Sequence, residues 1–94
     1  MEIQTELSET ELLQKIEARV NASKVPSLRT WTIGITNNPE RRKEEHENPQ
    51  HWQYWKAESS AIARKIEEYF LSKGMKGGTG GGEKGNPPDY VYIF

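Results

Sequence analysis

The chain has 94 residues and a formal net charge of −1, with 33% apolar residues, three Trp, four Tyr, two Phe and no cysteine. A chain of this length supports one small domain with a modest core, and the aromatics, each of which buries a large area, offset the low apolar fraction. Lack of cysteine excludes a disulfide framework and a thiolate metal site, and no apolar run approaches the ~18 residues of a membrane span. The acidic, polar start is unlike a signal peptide, so a cytoplasmic chain without a membrane partner is expected.

Charge is uneven: residues 1–23 carry a net −3 and residues 24–94 a net +2, so any basic surface is a local patch. Ser8 and Glu11 have capping-box spacing, and Leu12, Leu13, Ile16 and Val20 follow at helical intervals. This predicts a helix over 9–21 within an N-terminal helical extension, residues 1–23. Its outer face carries Glu11, Gln14, Glu17 and Arg19 and offers a surface for a second copy or a protein partner.

Residues 30–36 alternate, with Trp31, Ile33 and Ile35 on one face and Thr30, Thr32, Gly34 and Thr36 on the other, which predicts a strand. Asn38 suits the cap and Pro39 the first position of a second helix, expected to reach about residue 47 before Asn48-Pro49 ends it. Residues 51–56 read as a second strand, with Trp52 and Tyr54 opposite Gln53 and Trp55, and with Trp55 expected as the exposed aromatic. Ser59 or Ser60 caps a third helix that Gly74 stops, its apolar stripe formed by Ile62, Ala63, Ile66, Tyr69 and Phe70. Residues 74–88 read as a Gly/Pro-rich flexible loop, and residues 89–94 as a third strand that returns to pair with an earlier one. The expected fold is one α+β domain over residues 1–94, a small three-stranded antiparallel sheet flanked by three helices.

Arg42 and His46 lie four apart on the second helix and flank the end of the strand that holds Gly34. Arg42 reads either as a solvated cation or as part of a site, and His46 as a C-terminal cation favoured by the helix dipole or as a working group. Glu67 falls at the border of the third helix's apolar stripe while Glu68 points to water, so Glu67 is the carboxylate placed to line a cleft. Trp52, Tyr54 and Trp55 suit either base stacking or the core. The glycines at 76–82 lack Walker spacing and read as a connector, and His46 with His51 is a thin basis for a metal pair.

These residues resemble the GIY-YIG nuclease superfamily. Trp31-Thr-Ile-Gly34 is similar to the strand that ends in that family's second triplet, with an arginine eight residues past the glycine (Arg42) and a histidine four further on (His46). Ala63, Glu67 and Phe70 match the spacing around its metal-binding glutamate. Val91-Tyr92-Ile93 is similar to its first strand but stands at the far end of the chain, as in a circular permutation, and Thr32 occupies the place of its second tyrosine. The resemblance implies a GIY-YIG-like fold and metal-dependent cleavage of nucleic acid, DNA in the first instance. It further implies Mg²⁺ or Mn²⁺ on Glu67, phosphate stabilisation by Arg42, water positioning by Tyr92, and Thr32 and His46 beside them. The alternative is an inactive relative that binds nucleic acid or protein.

Overall fold

The structure, a computed structural model, describes residues 6–24, 27–77 and 88–94. The elements follow in the order α1 (Glu9–Asn21), a 3₁₀ turn (Leu28–Thr30), β1 (Thr32–Thr36), α2 (Pro39–Glu45), β2 (Gln53–Lys56), α3 (Ser60–Ser72), β3 (Lys76–Gly77) and β4 (Tyr90–Ile93). The expected α+β class is what is seen. The sheet has four strands, however, in the order β2-β4-β1-β3.

Local chemistry sets the helix ends. At α1 the capping box is complete: the Glu11 N–H donates to Ser8 Oγ (3.3 Å) and the Ser8 N–H to the Glu11 carboxylate (3.0 Å). The Ser8 backbone N–H and, second to it, the Ser8 hydroxyl hold the Glu11 carboxyl below its ordinary range. Asn38 Oδ1 accepts from the Arg41 N–H at the start of α2, and Ser59 Oγ from the Ile62 N–H at the start of α3. Helix α3 closes with paired bonds from the Gly74 N–H to the Leu71 carbonyl and from the Met75 N–H to the Phe70 carbonyl. Gly74 has φ +116°, which an L side chain resists, and buried Met75 supplies the apolar contact of that stop. Helix α2 ends two residues earlier than its sequence suggests, because Glu47 (φ 64°) and Asn48 (φ 52°) turn left-handed and the Asn48 N–H donates to the Lys43 carbonyl.

Strand β4 lies between β1 and β2, antiparallel to both, so a segment remote in sequence from both strands completes the middle of the sheet. Val91, Tyr92 and Ile93 are all buried, as a strand covered on both faces requires. The short β3 pairs in parallel with β1, Thr32 opposite Lys76 and Ile33 opposite Gly77. The sequence reading placed 76–77 in the loop, and a two-residue pairing that includes a glycine has no periodicity to reveal it; residues 78–87 of that loop lie outside the described residues. On the other edge, Leu7 bridges to Ala57, with its N–H on the Lys56 carbonyl.

Ile33, Ile35, Val91 and Ile93 share one face of the sheet and pack with Leu12, Ile16 and Val20 of α1 and Ala63, Ile66 and Phe70 of α3. Each such buried aliphatic contributes about 1.5–3 kcal/mol relative to exposure. The apolar stripe of α1 is therefore spent on this chain's own core. Trp55, expected outside, sits opposite Val91 and packs against that core, while Tyr54 opposite Tyr92 is the exposed aromatic. Alternation separates two faces of a strand, but pairing to β4 decides which of them looks inward.

Candidate functional site

The second face of the sheet has a different chemistry. Thr32, Gly34 and Thr36 of β1 share it with Tyr90 and Tyr92 of β4, with Gly34 opposite Tyr92. The Tyr92 phenol lies directly over Gly34, so a Cβ at position 34 would overlap its ring and hydroxyl. Glycine is thus required here for a close approach and not for backbone conformation.

Helix α2 covers this face. Thr36, fully buried, accepts the Asn38 N–H on its hydroxyl (3.0 Å), which fixes the turn from β1 into α2 and with it the helix orientation. His46 caps the helix C-terminus, and its Nε2 is 3.2 Å from the Tyr92 hydroxyl, the phenol donating or accepting according to the imidazole tautomer. Trp52 stacks on Tyr92 with ring centres 4.6 Å apart, and the Phe94 ring lies 4.8 Å from His46. Tyr92 is only 1% exposed beneath these rings. Arg42, one turn before His46 and on the same helical face, is also buried, and its guanidinium donates to the Glu45 carboxylate at 2.8 Å. The buried guanidinium is thus held in an ion pair on the side of α2 that carries His46.

The structure therefore brings Arg42, His46 and Tyr92 to one face. Thr32 shares that face two residues before Gly34, bonded through its backbone in both directions to Phe94. Glu67 comes from α3, in the layer that packs against the opposite face. It is half-buried at the border of the stripe, whereas Glu68 is exposed. Burial pushes the Glu67 carboxyl above its ordinary value; Arg64 pulls it down and Glu68 pushes it up, both more weakly. Among the described residues no group of three or more His, Cys, Asp or Glu gathers to hold a metal ion, and His51 is exposed.

The arrangement can pass a proton between a phenol and an imidazole. Two of its parts escape the sequence reading. Phe94 carries no motif, and Trp52 offers only an aromatic whose role depends on which strand it meets. A cavity of about 550 Å³ lies alongside, between the end of α1, the 3₁₀ turn, His51 and Phe94. Its walls come from four separate segments, so no local pattern announces it. No helix among the described residues is long and apolar enough to cross a membrane. No family model, curated protein or solved structure matches the chain.

Proposed function

We propose that the chain is a circularly permuted GIY-YIG-like domain that hydrolyses phosphodiester bonds of nucleic acid, DNA in the first instance, with Mg²⁺ or Mn²⁺. The observation that carries this reading is the antiparallel register of Gly34 with Tyr92, the phenol resting on the glycine and bonded to His46. It joins the two segments that the sequence holds far apart and that the resemblance requires together.

A single half-buried carboxylate does not make a resident metal cage. It does suit the sparse protein ligation of Mg²⁺, in which one or two carboxylates combine with substrate phosphate oxygens and water. Glu67 would be that carboxylate, and the ion would supply Lewis-acid polarisation of the phosphate; because α3 packs against the sheet face opposite Tyr92, this reading requires the phosphate to lie at the sheet edge, within reach of both layers. The remaining work falls to this chain's own groups. Arg42 neutralises charge developing on the phosphoryl oxygens through paired N–H donors. The Tyr92 hydroxyl gives its proton to His46 Nε2, 3.2 Å away, and takes one from the attacking water; the water oxygen bonds to phosphorus, the P–O bond to the leaving strand breaks, and that oxygen takes its proton from His46. Trp52 and Phe94 shield that pair from bulk water, which strengthens each polar contact within.

The test is incubation with supercoiled plasmid and single-stranded DNA in Mg²⁺ or Mn²⁺. Cutting that is lost in Glu67→Ala and reduced at least about 100-fold in Arg42→Ala, the order of one electrostatic donor, is expected. No cutting, or equal cutting by Glu67→Ala, overturns the hydrolytic reading.

One observation favours a second reading. Tyr92 is buried under Trp52, and Thr32, with its short side chain, stands where a second phenol would be. This suits a domain that binds nucleic acid and does not cut it, identified by salt-sensitive binding without cleavage.

A further inference from the structure

The cavity beside the site has a consistent chemistry. Among the described residues, its formally charged lining side chains are Arg19 and Lys24, both cationic; His51 adds a ring that can donate, and no acidic side chain lines it. The Arg19 guanidinium is held over the Trp31 ring, 5.2 Å from its centre, which restrains a long side chain at the cavity wall. The end of α1 opens here, and its terminal carbonyls carry a partial negative charge of about half a unit; two full cations outweigh it. That end is also internally satisfied, by the Ala22 N–H on the Ala18 carbonyl and the Ser23 hydroxyl on the Val20 carbonyl.

Phe94 belongs to both regions. It lines the cavity, and its ring also lies 4.8 Å from His46 and 5.8 Å from Trp52. The cavity and the Tyr92 face therefore share one aromatic wall. At about 550 Å³ the space falls within the ordinary range of small-ligand sites and accommodates one nucleotide unit.

From the cations of Arg19 and Lys24 and the aromatic wall at Phe94, we infer that this cavity takes one unpaired nucleotide of a nucleic-acid strand that continues across the Tyr92 face. Arg19 and Lys24 hold the phosphate and Phe94 packs against the base. A stacked wall with backbone-directed cations is the chemistry that retains single strands with little regard to sequence. The inference rests on the nucleic-acid reading above and deepens it, because it assigns the substrate an unpaired segment. It also gives α1 a role in binding besides its role in the core.

The test measures fluorescence anisotropy of a labelled oligothymidylate about ten nucleotides long, on the scale of single-strand binding sites, against the full chain. A strand of the same length and charge without bases, and a duplex, serve as further probes. Arg19→Gln with Lys24→Gln is compared with Lys65→Gln with Lys73→Gln, which makes the same charge change on α3. The cavity variant is expected to lose about tenfold in affinity for the oligothymidylate and to flatten the salt dependence by about 1.4 in log–log slope, as two lost phosphate contacts require. The α3 variant should remain near the parent, and the baseless strand should bind the parent more weakly. Circular dichroism checks folding; should the double variant unfold, Lys24→Glu, at an exposed position, is expected to weaken binding with a slope change of about 0.7, as one lost phosphate contact requires.

Equal affinity of the two variants, no binding of the single strand by the parent, or equal binding of the strand with and without bases overturns the inference. Cavity-dependent binding without any cutting upholds it while overturning the hydrolytic reading. Glu67-dependent cutting with single-strand affinity indifferent to Arg19 and Lys24 does the reverse.

Discussion

The two faces of one four-stranded sheet have been put to different uses. One carries Ile33, Ile35, Val91 and Ile93 under α1 and α3 and is packed with aliphatic side chains. The other carries Gly34 and Tyr92 under α2 and is filled with rings, a buried guanidinium and an imidazole. A strand alternates, so each residue on the first face is followed by one on the second, and the same five residues of β1 serve both. The aliphatic face has no proton to move and no charge to offer. The aromatic face leaves His46, Trp52 and Phe94 partly exposed, yet it buries Thr36, Arg42 and Tyr92, groups that donate, accept or carry charge. Burial alone therefore does not separate core from site in this molecule; the chemistry of what is buried does.

The largest effect that tests this contrast is Ile66→Ala. It empties space between α3 and the aliphatic face and should cost about 3–4 kcal/mol in urea unfolding. The proposed nucleic-acid binding, measured on the protein that remains folded, should be unchanged. A loss of binding without loss of stability would mean that the two faces are not separable.

Next is Gly34→Ala, expected to cost about 2–3 kcal/mol because the new methyl overlaps the Tyr92 phenol. In a Tyr92→Leu background the cost of the same change should fall by at least half, since contacting residues are coupled. Equal costs in both backgrounds would show that the phenol is not what requires glycine.

Tyr92→Phe keeps the stacked ring and removes the hydroxyl with its bond to His46, so a loss of about 1 kcal/mol is expected. Its effect on any cleavage should be far larger than its effect on stability. A matched, small change in both would reduce the phenol to a packing residue.

The smallest effect concerns Glu67. Its folded carboxyl titrates above the ordinary 4.5, so protonation favours the folded state. That contribution is fully present below the unfolded value and is lost as pH rises through the raised folded one, leaving a net cost at neutral pH. Glu67→Gln should therefore raise the melting temperature at pH 7 by about 1–2 °C, with the group's partial exposure limiting the gain. The difference should vanish below pH 4.5. A gain that persists unchanged at low pH would assign the effect to something other than the carboxylate's desolvation.

Much of the local structure is legible in the residues. The Ser8–Glu11 box, the Asn38-Pro39 start and the Gly74 stop each satisfy a specific unpaired backbone group, so the helix positions follow from sequence. The border position of Glu67 follows from helical geometry. The early end of α2 does not, because left-handed turns at Glu47 and Asn48 replace the last helical residues, and no glycine marks them.

For the site, sequence reasoning supplies Arg42, His46 and Tyr92 as candidates, but it has no means to show that they share a face. That depends on β4 slotting between β1 and β2, a choice made by hydrogen bonding between segments more than thirty residues apart. The same choice turns Trp55 inward and Tyr54 outward, and it brings Phe94 to the wall of the cavity. Sequence by itself thus determined the three helices with their starts, the segments of β1, β2 and β4, and the spacing of Gly34 to Arg42 and His46, because those rest on contacts within a few residues. Tertiary structure alone decided the central place of β4, the parallel edge at Lys76–Gly77, the layer from which Glu67 comes and the phenol over Gly34. Each of these is a long-range pairing that no local periodicity encodes.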